Sequence, residues 1–488
     1  MRPSLRQLAL VSLITLLPAV SAFAQAGTVT RAAPRRAAKA DSSGTSSNIL
    51  PTVEITGFLT LLSAYDRVAY ADMMQDGKKV YSSTFKSTWD HIREQHWVHD
   101  QDPFNVNQFA HPYQGAMMYG FARSTGHGFW TSLAHANVGS FLWKMAGETD
   151  PPSINDMITT GQAGSLLGEA LYRMAYLVVT DKVTSSKKVN AYAAAAISPP
   201  AGFNRLVFGN RFDAGLSDKA PSTIWMIRLG ATLDALSKDY SSPAALLRRD
   251  ATAEFAMSYG LPGQPGYTYT RPLDYFDFQF SALSSAKNPV ENVMIRGLLF
   301  GAKTSEGVTS RGIWGLYGSY DYISPYLFRV SSTALSLGTT RQYWVAPKLA
   351  LQGSLLGGVG YGAAGSTIVI PSTPTNAAIR DYHFGVTPQA LLALRLISGQ
   401  RVMFDATGRE YYVSGVGSDD KRGAEKIFRG NAGVTVRVIG NHALGAQFVA
   451  STRDARYGAL PDKRLREGTV TITYSFLGPN RFNAVTWK

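Results

Sequence analysis

Apolar positions recur along this chain with two different periods. From Phe85 to Tyr192 the spacing is helical, and beyond Pro199-Pro200 it gives way to strict alternation. Pro112 suits the opening of a helix, where a missing N–H is tolerated, so a helix is predicted from Pro112 to about Arg123 with His111 at or next to its cap. A second is predicted from Thr131 or Ser132 to Gly147. Pro151-Pro152-Ser153 reads as a stop followed by a start, with Asp156 placing a carboxylate in the first turn, where the helix dipole favours it. The third helix should bend near Gly161 and Gly164 and continue to Val179. Gly164 and Gly168 are four apart, and so share a face on which another backbone can approach closely. Upstream, Val53 to Ala69 is apolar, and periodicity alone leaves it open as a short strand or a buried helix.

In the second part the period is two. Trp225, Ile227, Leu229, Ala231, Leu233 and Ala235 fall on one face, and Arg228, Gly230, Thr232 and Asp234 on the other. The pattern returns at Asp250–Gly260, Tyr275–Ala282, Phe384–Leu396 and Ala432–Val438, and most cleanly from Thr469 to Phe476. Counted from Phe203 onward, such runs number about twelve or thirteen, each near the ~10 residues that a tilted membrane strand requires. A soluble sandwich also alternates. The strand number, the aromatic-rich apolar faces and the placing of Trp and Tyr near strand ends favour a closed barrel, which leaves no unpaired edge in a bilayer. The expected fold is α+β: a compact N-terminal helical domain, then an antiparallel transmembrane β-barrel of about 12 strands. Arg228, Asp234, Glu254, Asp277 and Arg437 should face the lumen.

The N-terminus changes the picture of where this happens. Arg2 and Arg6 precede an apolar run from Leu8 to Val20 and a small-x-small triplet, Ala22-Phe23-Ala24, the pattern of a secretory signal peptide cut after Ala24. The expected division is 1–24 signal peptide, 25–50 disordered linker rich in Ala, Ser, Gly and Arg, 51–200 helical domain and 201–488 barrel. The protein is accordingly expected in the cell outer membrane of a Gram-negative bacterium. Cys is absent, which excludes disulfides, thiolate metal sites and a thiol nucleophile. Loss of Arg2 and Arg6 lowers the formal net charge from +14 to +12. With no nucleic-acid motif present, that basic balance points to anionic lipid or polysaccharide. The partners expected are outer-membrane lipids, the barrel-assembly machinery and a small solute or lipid ligand, with no nucleic acid.

Candidate chemistry concentrates between Phe104 and Arg173. Six of the eight histidines, His91, His96, His99, His111, His127 and His135, lie from 91 to 135, a bunching that suits a metal or an acid/base centre. Their spacing contains neither HExxH nor HxH, so no metal or cofactor is expected from it. GxSxG, a Walker loop and a dinucleotide fingerprint are absent as well. Glu169 and Arg173, four apart, fit an ion pair along one helix face, and Arg123 and Glu148 add to the polar set. The candidate catalytic residues are His111, Asp156, Glu169 and Arg173, with His111 as the best general base and Glu169 or Glu148 as its orienting partner.

These residues also carry a resemblance. His111-Pro112-Tyr113-Gln114-Gly115, Ala122-Arg123-Ser124, Phe129-Trp130, Gly139-Ser140 with Trp143, Pro151-Pro152-Ser153-Ile154-Asn155-Asp156, and Gly168-Glu169 with Arg173 resemble the bacterial family catalogued as domain of unknown function 3943, over about residues 55–210. The family has no established activity. The resemblance implies an exported envelope protein with a helical block ahead of a β-rich region, and singles out His111, Arg123, Ser153, Asn155, Asp156, Glu169 and Arg173. The chain departs from the pattern at Thr125 and Thr131 and at Lys144, where an acidic residue commonly follows the Trp. His127 and His135 are not part of the pattern. The leading expectation is a non-enzymatic outer-membrane barrel, structural or handling a small solute or lipid, with the helical block packed on or in the lumen. The alternative is an outer-membrane hydrolase acting on lipid or envelope glycan.

Overall fold

The structure is a computed structural model that describes residues 45–75, 78–94, 97–100, 102–180, 186–212, 214–217, 219–237, 246–262, 264, 266–284, 289–325, 328–366, 382–416, 423–457 and 462–478. The expected signal peptide and nearly all of the expected linker lie outside these residues. The chain divides into two compact units, Met1–Gly215 and Leu216–Lys488.

The first unit is helical. Its helices are α1 (Leu50–Ala69), α2 (Phe85–Glu94), α3 (His111–Ser124), α4 (Phe129–Ala146), α5 (Gly164–Thr180), α6 (Lys187–Ile197) and α7 (Pro199–Phe208). A small hairpin pairs Met74-Gln75 with Lys78-Lys79. Val53–Ala69, left open by its periodicity, is helix.

α3 and α5 are each preceded by a wider π-helical stretch, Val106–Ala110 and Met157–Ala163. His111 is therefore not a cap: α3 continues the backbone that begins before it. The bend expected near Gly161 and Gly164 is the second π stretch, a feature that tends to gather at functional sites. α3 and α5 meet backbone to backbone. A Cβ on Gly115 would lie 1.8 Å from the carbonyl oxygen of Thr160, and one on Gly164 2.7 Å from the Cα of Gly115. Only glycine permits this approach, and it draws the polar side chains of both helices into one interior. α7 ends at Gly209, whose φ of +63° turns the chain out of the helix. Because Pro199–Phe208 is helical, the barrel does not begin at residue 201 or at Phe203. The side chains there follow a period of 3.6, and the first strand starts at Thr223.

The second unit is a closed antiparallel barrel of twelve strands: β1 (Thr223–Ser237), β2 (Leu246–Tyr259), β3 (Phe276–Leu283), β4 (Val290–Glu306), β5 (Ser310–Ile323), β6 (Phe328–Ala346), β7 (Leu349–Ser366), β8 (Tyr382–Ser398), β9 (Val402–Val413), β10 (Gly423–Ile439), β11 (His442–Tyr457) and β12 (Lys463–Leu477). Consecutive strands are neighbours, and β12 closes on β1 from Arg466↔Ser237 to Leu477↔Met226. No strand edge remains unpaired, the condition for a sheet in hydrocarbon. On β12, Val470, Ile472 and Tyr474 point outward and are 49%, 70% and 41% exposed, whereas Thr471, Thr473 and Ser475 are buried inside. Leu229, Leu233, Leu335, Leu337, Leu355, Leu392, Leu394, Phe404 and Phe448 extend that outward apolar face around the barrel. The expected α+β arrangement and antiparallel barrel are what the structure shows.

The two rims differ. Four connections at the rim that holds both chain ends of the barrel are tight, 307–309, 347–348, 399–401 and 440–441. The fifth, 260–275, folds in. Leu261, Tyr267 and Leu273 on it are fully buried, and Leu261, Tyr267 and Tyr269 join Tyr317, Leu356, Leu391, Ile397 and Met403 in one apolar cluster. Leu273 takes a φ of +59°, rare for a bulky residue, and is seated against Gly297, where a Cβ would come within 2.4 Å of its Cγ. Near the opposite rim, Ile323, Phe328, Val330, Ala364, Tyr411, Val413, Ile427 and Leu465 form a second apolar cluster.

Candidate functional site

Two buried ionic clusters lie in the helical unit. The first gathers around Asp156, on the single helical turn Ile154–Asp156 that leads into the second π stretch. Residues 98–102 are held alongside this turn by main-chain pairing: Ile154 N donates to Val98 O at 2.9 Å and Val98 N to Pro152 O at 3.0 Å. Asp100 N then reaches Asn155 Oδ1 at 2.8 Å, and Asp102 N reaches Asp100 Oδ1 at 3.1 Å. The extended segment thus brings two further aspartates to the turn.

Asp156 is fully buried, and its neighbours answer its charge. Asn155 Nδ2 donates to Oδ1 at 2.7 Å, while Ser153 Oγ and Lys144 Nζ both reach Oδ2 at 2.5 Å. His111 Nε2 stands 3.5 Å from the same oxygen, and His111 Nδ1 faces Gln114 Oε1 at 3.3 Å. Lys144 also holds Glu148 at 2.5 Å, and Trp143 Nε1 donates to the other oxygen of Glu148 at 2.6 Å. Burial by itself would raise the Asp156 carboxyl, but His111 and Lys144 bring it down to about 2. For Lys144 burial works downward, and Asp156 and Glu148 outweigh it, so the ammonium is held well above the usual lysine range. The remaining acids move the other way. Asp100 is pushed well up by burial and by Asp156 and Asp102; Asp102 is pushed up to about 6 and Asp66 to about 7, burial being the main cause in both. The cluster therefore carries more carboxylate than it can ionise unaided.

The second cluster centres on Glu169 of α5. Its carboxylate accepts from Tyr119 Oη at 2.7 Å, Arg123 Nε at 2.8 Å and Arg173 Nε at 2.7 Å, all four side chains being almost wholly buried. Arg123 also donates to the carbonyls of His127 and Ala214 at 3.0 and 2.7 Å, and lies over the Tyr172 ring at 4.6 Å. Burial would raise Glu169, and the two guanidiniums more than reverse it. Glu169 has its acceptor capacity filled by three donors, which is the arrangement of a structural pin.

The four candidates thus divide in two. His111 and Asp156 come together, whereas Glu169 and Arg173 belong to the pin around Arg123. The orienting role expected for Glu169 is taken instead by Gln114 and Asp156. The histidines disperse: His91 faces the carbonyls of Met145 and Thr149 at 3.2 and 3.4 Å, His127 that of Ser47 at 3.0 Å, and His135 that of Thr131 at 2.9 Å. His96 lies outside the described residues. Asp66, Asp100 and Asp102 were not singled out by the sequence pattern; the one signal was the Asp-x-Asp spacing beside the histidine-rich segment.

Residues 96–200, which hold most of both clusters, match the family described as domain of unknown function (DUF3943). This stretch is a DUF3943 domain. Its motifs are those of the resemblance: Pro151–Asp156 builds the first cluster, and Arg123, Glu169 and Arg173 build the second. No curated protein matches the sequence of the chain. Among solved structures, the barrel is similar to the outer membrane channel DcaP of Acinetobacter baumannii, with 8% identity, 53% of this chain and 99% of that chain covered, and a TM-score of 0.22. It is also similar to the COG4313 outer membrane channel from Pseudomonas putida F1, at 10% identity, 53% and 96% coverage and a TM-score of 0.27. The translocator domain of the autotransporter NalP from Neisseria meningitidis gives 11% identity, 52% and 88% coverage and a TM-score of 0.23. The closed strand pairing, rather than these distant likenesses, defines the fold.

Within the barrel the polar side chains meet across the lumen. Arg429 of β10 pairs with Glu291 of β4, and Arg395 of β8 donates to Ser258 of β2 at 3.3 Å; in each case the strands are half a barrel apart. Arg409 reaches Asn292 at 3.1 Å and Asp321 at 3.6 Å, and Arg228 joins Glu254 at 2.7 Å and Asp405 at 3.6 Å. Of the lumen residues expected, Arg228, Asp234, Glu254 and Asp277 point inward. A cavity of about 70 Å³ is left among Asp234, Arg248, Glu254, Glu291, Arg409 and Arg429.

Proposed function

We propose that this chain is an integral outer-membrane protein whose barrel is closed at rest, and that it anchors the DUF3943 domain and handles a small polar solute by transient opening rather than by free diffusion. The observation that carries this reading is the set of ion pairs and hydrogen bonds joining strands on opposite sides of the lumen, Arg429–Glu291 foremost. They leave room for only a few waters, and an apolar cluster lies toward each rim. The outward apolar face makes outer-membrane lipid the immediate partner, and insertion by the barrel-assembly machinery follows from that location. The hydrolase alternative draws no support from the geometry: Glu169 is occupied by two arginines and a tyrosine, and His111 is buried against Asp156 and Gln114.

Two experiments test the reading. The protein should fractionate with the outer membrane and migrate on a detergent gel in a heat-modifiable manner; recovery as a soluble periplasmic protein would rule the anchor out. In planar bilayers the wild type should show small, intermittent conductance. Arg409→Ala combined with Arg429→Ala should enlarge it by removing the bridges, as should Gly297→Ala by unseating Leu273. A large, steady conductance in the wild type would refute closure.

A further inference from the structure

We propose that the DUF3943 domain holds one divalent first-row metal ion, Zn²⁺ or Mn²⁺, between Asp100, His111 and Asp156. One donor atom from each residue lies within 4.8 Å of the other two, the reach of two metal–ligand bonds of about 2.0–2.4 Å.

The imidazole supplies the independent sign of a ligand. Its Nδ1 faces the amide oxygen of Gln114 at 3.3 Å, an atom that only accepts, so the ring proton sits on Nδ1. The lone pair of neutral His111 is then on Nε2. That nitrogen is buried, has no hydrogen-bond partner, and stands 3.5 Å from the carboxylate oxygen of Asp156. Two lone pairs facing each other in a dry interior require a positive charge between them. An imidazole whose remote N–H is fixed by a neighbouring acceptor is how proteins present histidine to a metal.

Charge balance points the same way. Asp66, Asp100, Asp102, Glu148 and Asp156 interact with one another and with His111, and the one ammonium among them is Lys144. A dication reduces that excess, and a donor set of one nitrogen and two carboxylates suits Zn²⁺ or Mn²⁺ better than Ca²⁺, which prefers oxygen throughout. Lys144 Nζ, on Asp156 and Glu148, is the internal rival of the ion and limits its affinity.

The test uses the full chain, purified in detergent and stripped with a chelator, titrated calorimetrically with Zn²⁺, Mn²⁺ and Ca²⁺. One equivalent of Zn²⁺ or Mn²⁺ should bind, in preference to Ca²⁺. Asp100→Asn and His111→Ala should abolish binding, and Gln114→Ala, which frees the ring, should weaken it by about 10- to 100-fold. Lys144→Met should tighten it, an effect that a merely destabilised fold would not produce. Co²⁺ should give the visible absorption of a nitrogen-containing site, lost in His111→Ala. His442→Ala, at the end of the barrel, should change nothing. Absence of saturable binding by the wild type, or equal affinity in the wild type, His111→Ala and Gln114→Ala, overturns the proposal.

Discussion

The DUF3943 domain and the barrel both bury charge, yet they balance it differently. In the barrel each inward guanidinium named above meets an acid or amide on another strand: Arg296 and Arg409 share Asp321, Arg395 pairs with Asp405, Arg429 with Glu291 and Arg453 with Glu425. In the helical domain one cluster is balanced, with Arg123 and Arg173 on Glu169, and the other is not, with five acids around Lys144. Balanced pairs serve closure and rigidity. An unbalanced buried cluster is costly unless something else supplies charge, and that is why the Asp156 cluster, rather than the lumen, is where ligand chemistry is sought.

The largest expected effect comes from breaking the balanced cluster. Arg123→Ala leaves Glu169 buried with one guanidinium and should cost about 3–5 kcal/mol, read as an early loss of helical circular dichroism on heating. If the domain melts as before, the pin is not structural. Next comes the helix contact that assembles both clusters. Gly115→Ala places a methyl 1.8 Å from a carbonyl of Thr160, so α3 must separate from α5, with a loss of at least about 2–3 kcal/mol. An unchanged melting temperature would show that the helices can slide apart freely.

The unbalanced side of the comparison predicts a pH dependence. In the folded domain Asp66 and Glu54 are both raised to about 7, chiefly by burial; Asp66 is also raised by Glu148 and lowered by His111, and Glu54 is lowered by its bond from Asn204. Unfolded carboxylates ionise near 4. The folded state thus binds more protons between pH of about 4 and 7, and its stability falls as pH rises through that window. Helical melting temperatures should decline from pH 4 to 7, and Asp66→Asn should flatten the slope. A rising curve would contradict it. The smallest effect is a control for the glycine argument. Gly57 in α1 is exposed with nothing within 4 Å of a Cβ, so Gly57→Ala should stabilise by about 0.5–1 kcal/mol, against the large loss at Gly115.

What the sequence by itself determined is what depends on local period and local covalent limits. Alternation along β12, where Val470, Ile472 and Tyr474 face out and Thr471, Thr473 and Ser475 face in, follows from strand geometry and is readable without any neighbour. The same holds for the bend at Gly161–Gly164 and for the start after Pro151-Pro152. The motif around His111 and Pro151–Asp156 likewise identified the family. Only the tertiary structure decided which charges meet. Glu169 and Arg173 are a helical pair in sequence, but Arg123, 46 residues from Glu169, makes them a pin. His111 joins Asp156 and Asp100 because a short bridge between Val98 and Ser153 lays one extended segment beside a helix turn. The boundary error at residue 201 has the same origin, since Pro199–Phe208 packs as a helix against α6 and α3, a choice set by burial rather than by the residues alone. Periodicity reports which face is buried; it carries no information on what lies against that face, and a buried charge is defined by its partner.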